Sequence, residues 1–191
     1  RRNVGDIAVQ LDGAVIESVC RRGIYMWLEL DRPFVLMIHL GMSGQIRIND
    51  FPSGHPHVRV DWTVTRAGDP ARFFEFLDQR TFGGMQICDR DQDGLPVAVS
   101  RIARDPFDPL FDVDRFFEML RKRSIEVKKG LLDQHLISGI GNIYADECLW
   151  RVGLDGRTPC NRLDRSTAME IVTTVTRVMR EAFDVGGTSF D

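Results

Sequence analysis

With 191 residues, 43% of them hydrophobic, and a net charge of −3, the chain has enough apolar material for one or two small cores. No apolar run approaches the roughly 18 residues a membrane-spanning helix needs, and an acidic balance excludes the generally basic surface that many nucleic-acid binders carry. The four cysteines Cys20, Cys88, Cys148 and Cys160 show no Cys-x-x-Cys spacing, so neither a zinc site nor a disulfide framework follows from them, and they read as reduced thiols.

The first ninety or so residues read as strands. The runs 15–19, 25–30, 34–38, 45–48, 58–62 and 72–76 are short and rich in β-branched or aromatic residues, with turn residues between several of them. Alternation in 46–48 and 58–62 implies sheets with one buried face, hence a β-sandwich or barrel-like domain. Between Asp91 and Asp112 the sequence turns to Gly, Pro and Asp, including Pro96, Pro106 and Pro109, and the period of two stops, as in a linker.

From Val113 the period becomes helical, with Val113, Phe116, Phe117 and Leu120 on one face. The last helix is the clearest: Ala168, Ile171, Val172, Val175, Val178, Met179 and Ala182 form an apolar stripe, with Asp164 as N-cap and Gly186-Gly187 as stop. Strands first and helices second predict an α+β chain of two domains. Local basic clusters stand at Arg21-Arg22, Arg121-Lys122-Arg123 and Lys128-Lys129, yet from Val113 onward 12 Lys or Arg are balanced by 12 Asp or Glu.

The stretch from Lys128 to Glu147 is the most informative. It reads as a helix, a tight turn built on Gly139, Gly141 and Asn142, and a second helix from Ile143. Glycines let such a turn close, and a helix start presents unpaired N–H groups to an anion, so a phosphate would suit it.

This stretch, Gly-Ile-Gly-Asn-Ile-Tyr-Ala included, resembles the helix-two-turn-helix of the formamidopyrimidine-DNA glycosylase and endonuclease VIII family, formamidopyrimidine-type branch. His39-Leu40-Gly41-Met42-Ser43-Gly44, His57-Val58-Arg59, Asp78-Gln79-Arg80-Thr81-Phe82-Gly83, Leu131-Leu132-Asp133-Gln134 and Gly186-Gly187-Thr188 match further family segments in order. The resemblance implies an N-terminal antiparallel β-sandwich over 1–93, a linker over 94–112 and a helix-two-turn-helix DNA-binding domain over 113–191. In the family a front part carrying a catalytic Pro-Glu pair comes before the position of Arg1 and a zinc finger after Gly-Gly-Thr, so the chain reads as the middle of a larger protein or as a paralogue lacking both ends. No catalytic residue, metal site or cofactor is therefore expected in this chain, the family's zinc-finger ligands having no counterpart.

By the same resemblance, Lys128, Gly141 and Asn142 grip DNA phosphates, and Met42, Arg80 and Phe82 form a wedge that fills the gap left by an everted nucleotide. His57 is a further possible DNA contact. Taken alone, Asn142 reads as a helix cap, Lys128 as a surface lysine, and Met42 and Phe82 as core residues. Flipping a base costs a few kcal/mol of stacking and pairing, which apolar wedges and an arginine partly replace. The chain departs from the family pattern at Gly54, where a DNA-contacting lysine is usual, and at Gln79 and Thr81, which replace a proline and a second arginine.

The expected function is a base-excision-repair DNA glycosylase and AP lyase acting on oxidised purines in damaged double-stranded DNA. The chain would then be its DNA-clamping body: bacterial, cytoplasmic, monomeric and away from membranes. The alternative is a catalytically inactive paralogue that binds damaged or abasic DNA without cutting it. A third reading, binding of RNA or a protein partner through the same turn, leaves the wedge trio without a use.

Overall fold

The computed structural model describes residues 4–185, so the predicted stop at Gly186-Gly187 and the Gly186-Gly187-Thr188 segment lie outside the described residues. The chain divides into two compact units, Arg1–Ala98 and Val99–Asp191.

The N-terminal unit contains helix α1 (Val4–Leu11) and strands β1 (Ile16–Arg22), β2 (Tyr25–Leu30), β3 (Phe34–His39), β4 (Gln45–Asn49), β5 (Val58–Val64), β6 (Arg72–Leu77) and β7 (Gly84–Asp89). They form two antiparallel sheets, ordered β1-β2-β3-β7 and β4-β6-β5. β3 pairs on both sides, Leu36 facing Leu28 of β2 and Ile87 of β7, and four consecutive residues of β3, Val35 to Ile38, are buried. Leu28, Leu30, Leu36 and Ile38 form a core against which Ile7 and Leu11 of α1, Ile46 of β4 and Met85 of β7 pack, so helix and both sheets share it. The result is an antiparallel sandwich.

All six predicted strands are present, each shifted or lengthened by at most a few residues. Two elements escaped the sequence reading. Residues 4–11 are helical rather than extended; an eight-residue helix offers one short stripe, here Ile7 and Leu11, too little to stand out beside the strand runs that follow. β7 starts on Gly84 and has few β-branched or aromatic residues, so its pairing with β3 decides its state.

The second unit carries α2 (Val113–Leu120), α3 (Val127–Leu132), α4 (Asn142–Val152) and α5 (Arg165–Asp184). Asp112 and Asp164 cap α2 and α5, their carboxylates accepting from the amides of Arg115 at 3.0 Å and Thr167 at 2.8 Å. Every member of the predicted α5 stripe is buried. With Phe116, Leu120, Val127, Leu131, Leu149 and the turn residues Leu136, Ile137 and Ile140, much of that stripe builds one core. Cys148 and Cys160 sit in it as small apolar residues; burial pushes the Cys148 thiol up to about 12, which leaves it unreactive.

Because Ile171 is fully buried in this core, Ile171→Ala should cost about 2–5 kcal/mol. Urea unfolding followed by far-UV circular dichroism checks this; a loss under 1 kcal/mol would contradict the packing described.

Candidate nucleic-acid interface

In the N-terminal unit, two loops meet backbone to backbone. One runs 40–44, after β3, and carries Met42; the other runs 78–83, between β6 and β7, and carries Arg80 and Phe82. A Cβ on Gly41 would lie 2.6 Å from the Gly83 amide nitrogen, and one on Gly83 would lie 2.7 Å from the His39 carbonyl oxygen, so no larger residue allows this approach. Gly41 also has φ +63°, in the region that favours glycine.

A buried carboxylate holds the pair together. Asp78, 1% exposed, accepts from the Ser43 hydroxyl at 2.5 Å and the Arg80 amide at 3.2 Å through Oδ1, and from the Gly83 amide at 2.7 Å through Oδ2. The Ser43 hydroxyl in turn accepts from the Arg80 amide at 3.1 Å. The Asp78 main chain is tied to the start of β5, its amide donating to the His57 carbonyl at 3.0 Å and its carbonyl accepting from Arg59 Nε at 2.8 Å. The Ser43 hydroxyl and the Gly83 amide hold the Asp78 carboxyl below its ordinary 3.8.

Upon this base Met42, Arg80 and Phe82 stand outward. Met42 is 70% and Phe82 59% exposed, so neither is a core residue. The Arg80 guanidinium lies 5.3 Å from the centre of the Phe82 ring, within cation–π range. Thr81, between them, has φ +56°, the one non-glycine residue with positive φ among the described residues. A β-branched residue there stores on the order of 1–3 kcal/mol of strain.

The neighbouring loop, 50–57, has its own carboxylate. Glu75, 2% exposed, accepts from the Ser53 amide at 2.7 Å and Asn49 Nδ2 at 2.8 Å, and the Ser53 hydroxyl and amide hold it below its ordinary 4.5. This fixes the approach to Gly54, which is exposed with φ +63° and open space around it, and to His57. His57 is half-buried; its amide donates to His55 Nδ1 at 3.2 Å and the two rings lie 5.4 Å apart.

The helical unit contributes the turn between α3 and α4. Leu136, Ile137 and Ile140 bury its underside, and Gly139 adopts φ +83°. The Gln134 side chain spans it: Oε1 accepts from the Gly139 amide at 2.9 Å, and Nε2 donates to the carbonyls of Ile140 at 3.0 Å and Leu132 at 3.2 Å. The N-cap of α4 is Gly141, not Asn142, which is the first residue of the helix with its side chain exposed. Gly141 brings no capping side chain, so the Asn142 and Ile143 amides, among the four that the helix cannot satisfy, are left for an outside acceptor.

Lys128 reaches from α3 to α4, where its Nζ lies 2.6 Å from Asp146 Oδ1. Lys129 pairs with Glu126 at 3.2 Å and Arg123 with Asp133 at 2.6 Å. The two lysine pairs lie at the surface, where such pairs are worth about 0–1 kcal/mol each, so an arriving phosphate competes with them at little cost; the Arg123–Asp133 pair is partly buried.

The family models for the Formamidopyrimidine-DNA glycosylase N-terminal domain and H2TH domain match residues 1–85 and 102–191. Among curated relatives, a formamidopyrimidine-DNA glycosylase of a Nocardioides species is 45% identical over 192 residues, covering 100% of this chain and 64% of the relative. That of Streptomyces coelicolor is 44% identical over 196 residues, covering 100% and 68%. This chain belongs to the formamidopyrimidine-DNA glycosylase family. It spans about two thirds of the length of the relatives it matches. Two solved members of the family are similar in structure. The MutM (Fpg) protein of Thermus thermophilus aligns with a TM-score of 0.71 at 32% identity, covering 94% of this chain and 64% of that one. The Lactococcus lactis Fpg in complex with abasic-site DNA aligns at 0.75 and 30%, covering 97% and 68%.

Sequence reading named the residues that project from this family scaffold but missed those that hold them: Ser43, Asp78 and Gln134. All three stand inside the quoted motifs, yet a motif does not tell a buried acceptor from an exposed contact. Asp78 and Glu75 are charged more readily in the folded state, so their stabilisation is complete above the ordinary carboxylate range and is lost as pH falls through it toward the folded values. The urea midpoint of the N-terminal unit, read by Trp27 and Trp62 fluorescence, should therefore drop between about pH 5 and pH 3, and the drop should flatten in an Asp78→Asn, Glu75→Gln double variant. Equal slopes in the two proteins would contradict this.

Proposed function

We propose that this chain is the DNA-clamping body of a base-excision-repair DNA glycosylase and AP lyase that acts on oxidised purines in duplex DNA. The observation that carries the reading is the outward wedge. A methionine and a phenylalanine stand in solvent on loops braced by a buried carboxylate, an arrangement that folding alone does not favour. Apolar side chains with an arginine beside them suit the space a flipped nucleotide leaves in the stack. The α4 start, with Asn142 and Lys128 beside it, suits DNA phosphates, and His57 is a further contact. The Lactococcus lactis relative bound to abasic-site DNA supports the same partner for this chain. We assign no residue of this chain to the chemical step, and read the protein as a cytoplasmic monomer without a cofactor in this chain; no helix among the described residues is long and apolar enough to cross a membrane.

A second reading, a relative that binds damaged DNA without cutting it, is favoured by Gly54. A lysine in that place would need a left-handed backbone, and a Cβ there would meet no atom within 4 Å. Incubating the complete gene product with duplex carrying an oxidised purine, then reducing with borohydride, separates the two. The enzyme leaves a covalent protein–DNA adduct and a nicked strand; binding without either product establishes the second reading.

For the grip, Lys128→Ala should weaken binding to lesion and intact duplexes alike and reduce the salt slope by about one. For the wedge, Met42→Ala should instead erode the preference for abasic over intact duplex. Anisotropy titrations across salt concentrations check both, and the reverse pattern would exchange the two assignments.

A further inference from the structure

We infer that Ser43 is a positioning residue that couples the two wedge loops, so that Met42 enters the duplex in register with Arg80 and Phe82. The inference rests on the wedge reading above and adds to it the group on which lesion preference turns.

Four observations carry it. The Ser43 hydroxyl is next in the chain to Met42, and it makes two bonds, donating to Asp78 Oδ1 at 2.5 Å and accepting from the Arg80 amide at 3.1 Å. One oxygen thus joins the loop carrying one half of the wedge to the backbone of a residue in the other half. Secondly, between the sheet pairs His39–Gly84 and Gln45–Leu77 that pin the ends of the two loops, the contact is glycine against backbone, Gly41 over Phe82 and Gly83. Such a contact brings the loops close but offers no interlocking side chains, so directional hydrogen bonds must fix how one slides against the other. Thirdly, Thr81 holds φ +56° within a loop gathered by the Arg80 and Gly83 amides, a state a β-branched residue leaves when its restraints are loosened. Lastly, Met42 and Phe82 are exposed and Arg80 rests on Phe82, so no core packing restrains the tips.

Asp78 alone could be thought sufficient, since it keeps its Gly83 and Arg80 bonds without Ser43. Those bonds, however, lie within the 78–83 loop. Ser43 is the side chain that crosses to it.

The test compares the wild-type chain with Ser43→Ala, Ser43→Cys, Ser43→Thr and Met42→Ala. Kd is measured for a duplex containing a tetrahydrofuran abasic-site analogue and for the intact duplex of the same sequence. Ser43→Ala should weaken abasic-duplex binding about three- to tenfold, the scale of one net hydrogen bond, with intact-duplex binding unchanged. Ser43→Thr, which keeps the hydroxyl, should stay within about twofold of wild type, and Ser43→Cys, a weaker donor, should fall between. In Ser43→Ala the Arg80 amide should exchange hydrogen faster while the Ser53 amide, anchored separately on Glu75, keeps its protection.

If Met42→Ala loses the preference and Ser43→Ala keeps it, the coupling is wrong and the wedge reading stands. If Met42→Ala also keeps it, or the wild-type chain does not prefer the abasic duplex, the wedge reading falls and the inference with it. Equal weakening on both duplexes by Ser43→Ala, or failure of Ser43→Thr to restore the preference, reduces the hydroxyl to a folding role and overturns the proposal.

Discussion

A charge buried to 1% exposure determines the shape of the N-terminal loops. An isolated carboxylate in such a place would be strongly disfavoured; Asp78 is stable because a hydroxyl and two backbone amides point at it. A carboxylate suits the task because it only accepts, and its two oxygens offer about four acceptor positions in one plane. It follows directly on Phe76 and Leu77, both buried, so β6 fixes the origin from which the loops are drawn together. Its own backbone holds the first residues of β5. Three segments distant in sequence thereby converge on one residue, and Met42 and Phe82 are left exposed.

The helical unit solves a similar problem with a different group. Its glycine turn is spanned by the neutral amide of Gln134, which donates and accepts within a single planar group. The choice is physically sensible. A carboxylate beside the start of α4 would oppose any anion drawn to the positive end of the helix dipole, whereas an amide shapes the backbone without adding charge. Acids do occur nearby, but as partners of Lys128, Lys129 and Arg123 in ion pairs. The even balance of charges in this half therefore describes how the cations are stored, and is a poor guide to what they can bind.

Much of this was legible from residue order alone. The α5 stripe, the Asp164 cap and six strands depend on local periodicity and capping, which a sequence states directly. Membership of the family was legible from motifs quoted in order, and the sequence matches bear it out. What escaped depends on contacts between distant segments. β7 exists because β3 is there to pair with it, and α1 because the sheets offer a core for Ile7 and Leu11. Asn142 was expected to cap α4; the helix instead begins on it, with Gly141 in the capping position. The local pattern Gly-Asn-Ile does not separate those two starts, since both residues are acceptable caps. Burial of Asp78 was equally invisible, because acidic residues in loops are mostly exposed and a sequence does not list the donors waiting around one.

The glycines of the two units argue in opposite directions, and the difference is informative. At Gly41 and Gly83 the protein itself demands the missing side chain, since a Cβ would meet backbone atoms at 2.6–2.7 Å. At Gly141 it demands nothing. The residue has φ −103° and ψ −179°, extended backbone open to any amino acid, and a Cβ there would meet no atom within 4 Å. Serine or aspartate would cap α4 slightly better, by roughly a few tenths of a kcal/mol. A glycine that neither packing nor backbone geometry requires, at a helix start where a better cap is available, leaves open space above amides that have no partner in the helix. That is the form an anion-binding helix start takes when the ligand, and not a side chain, is to supply the acceptor oxygens.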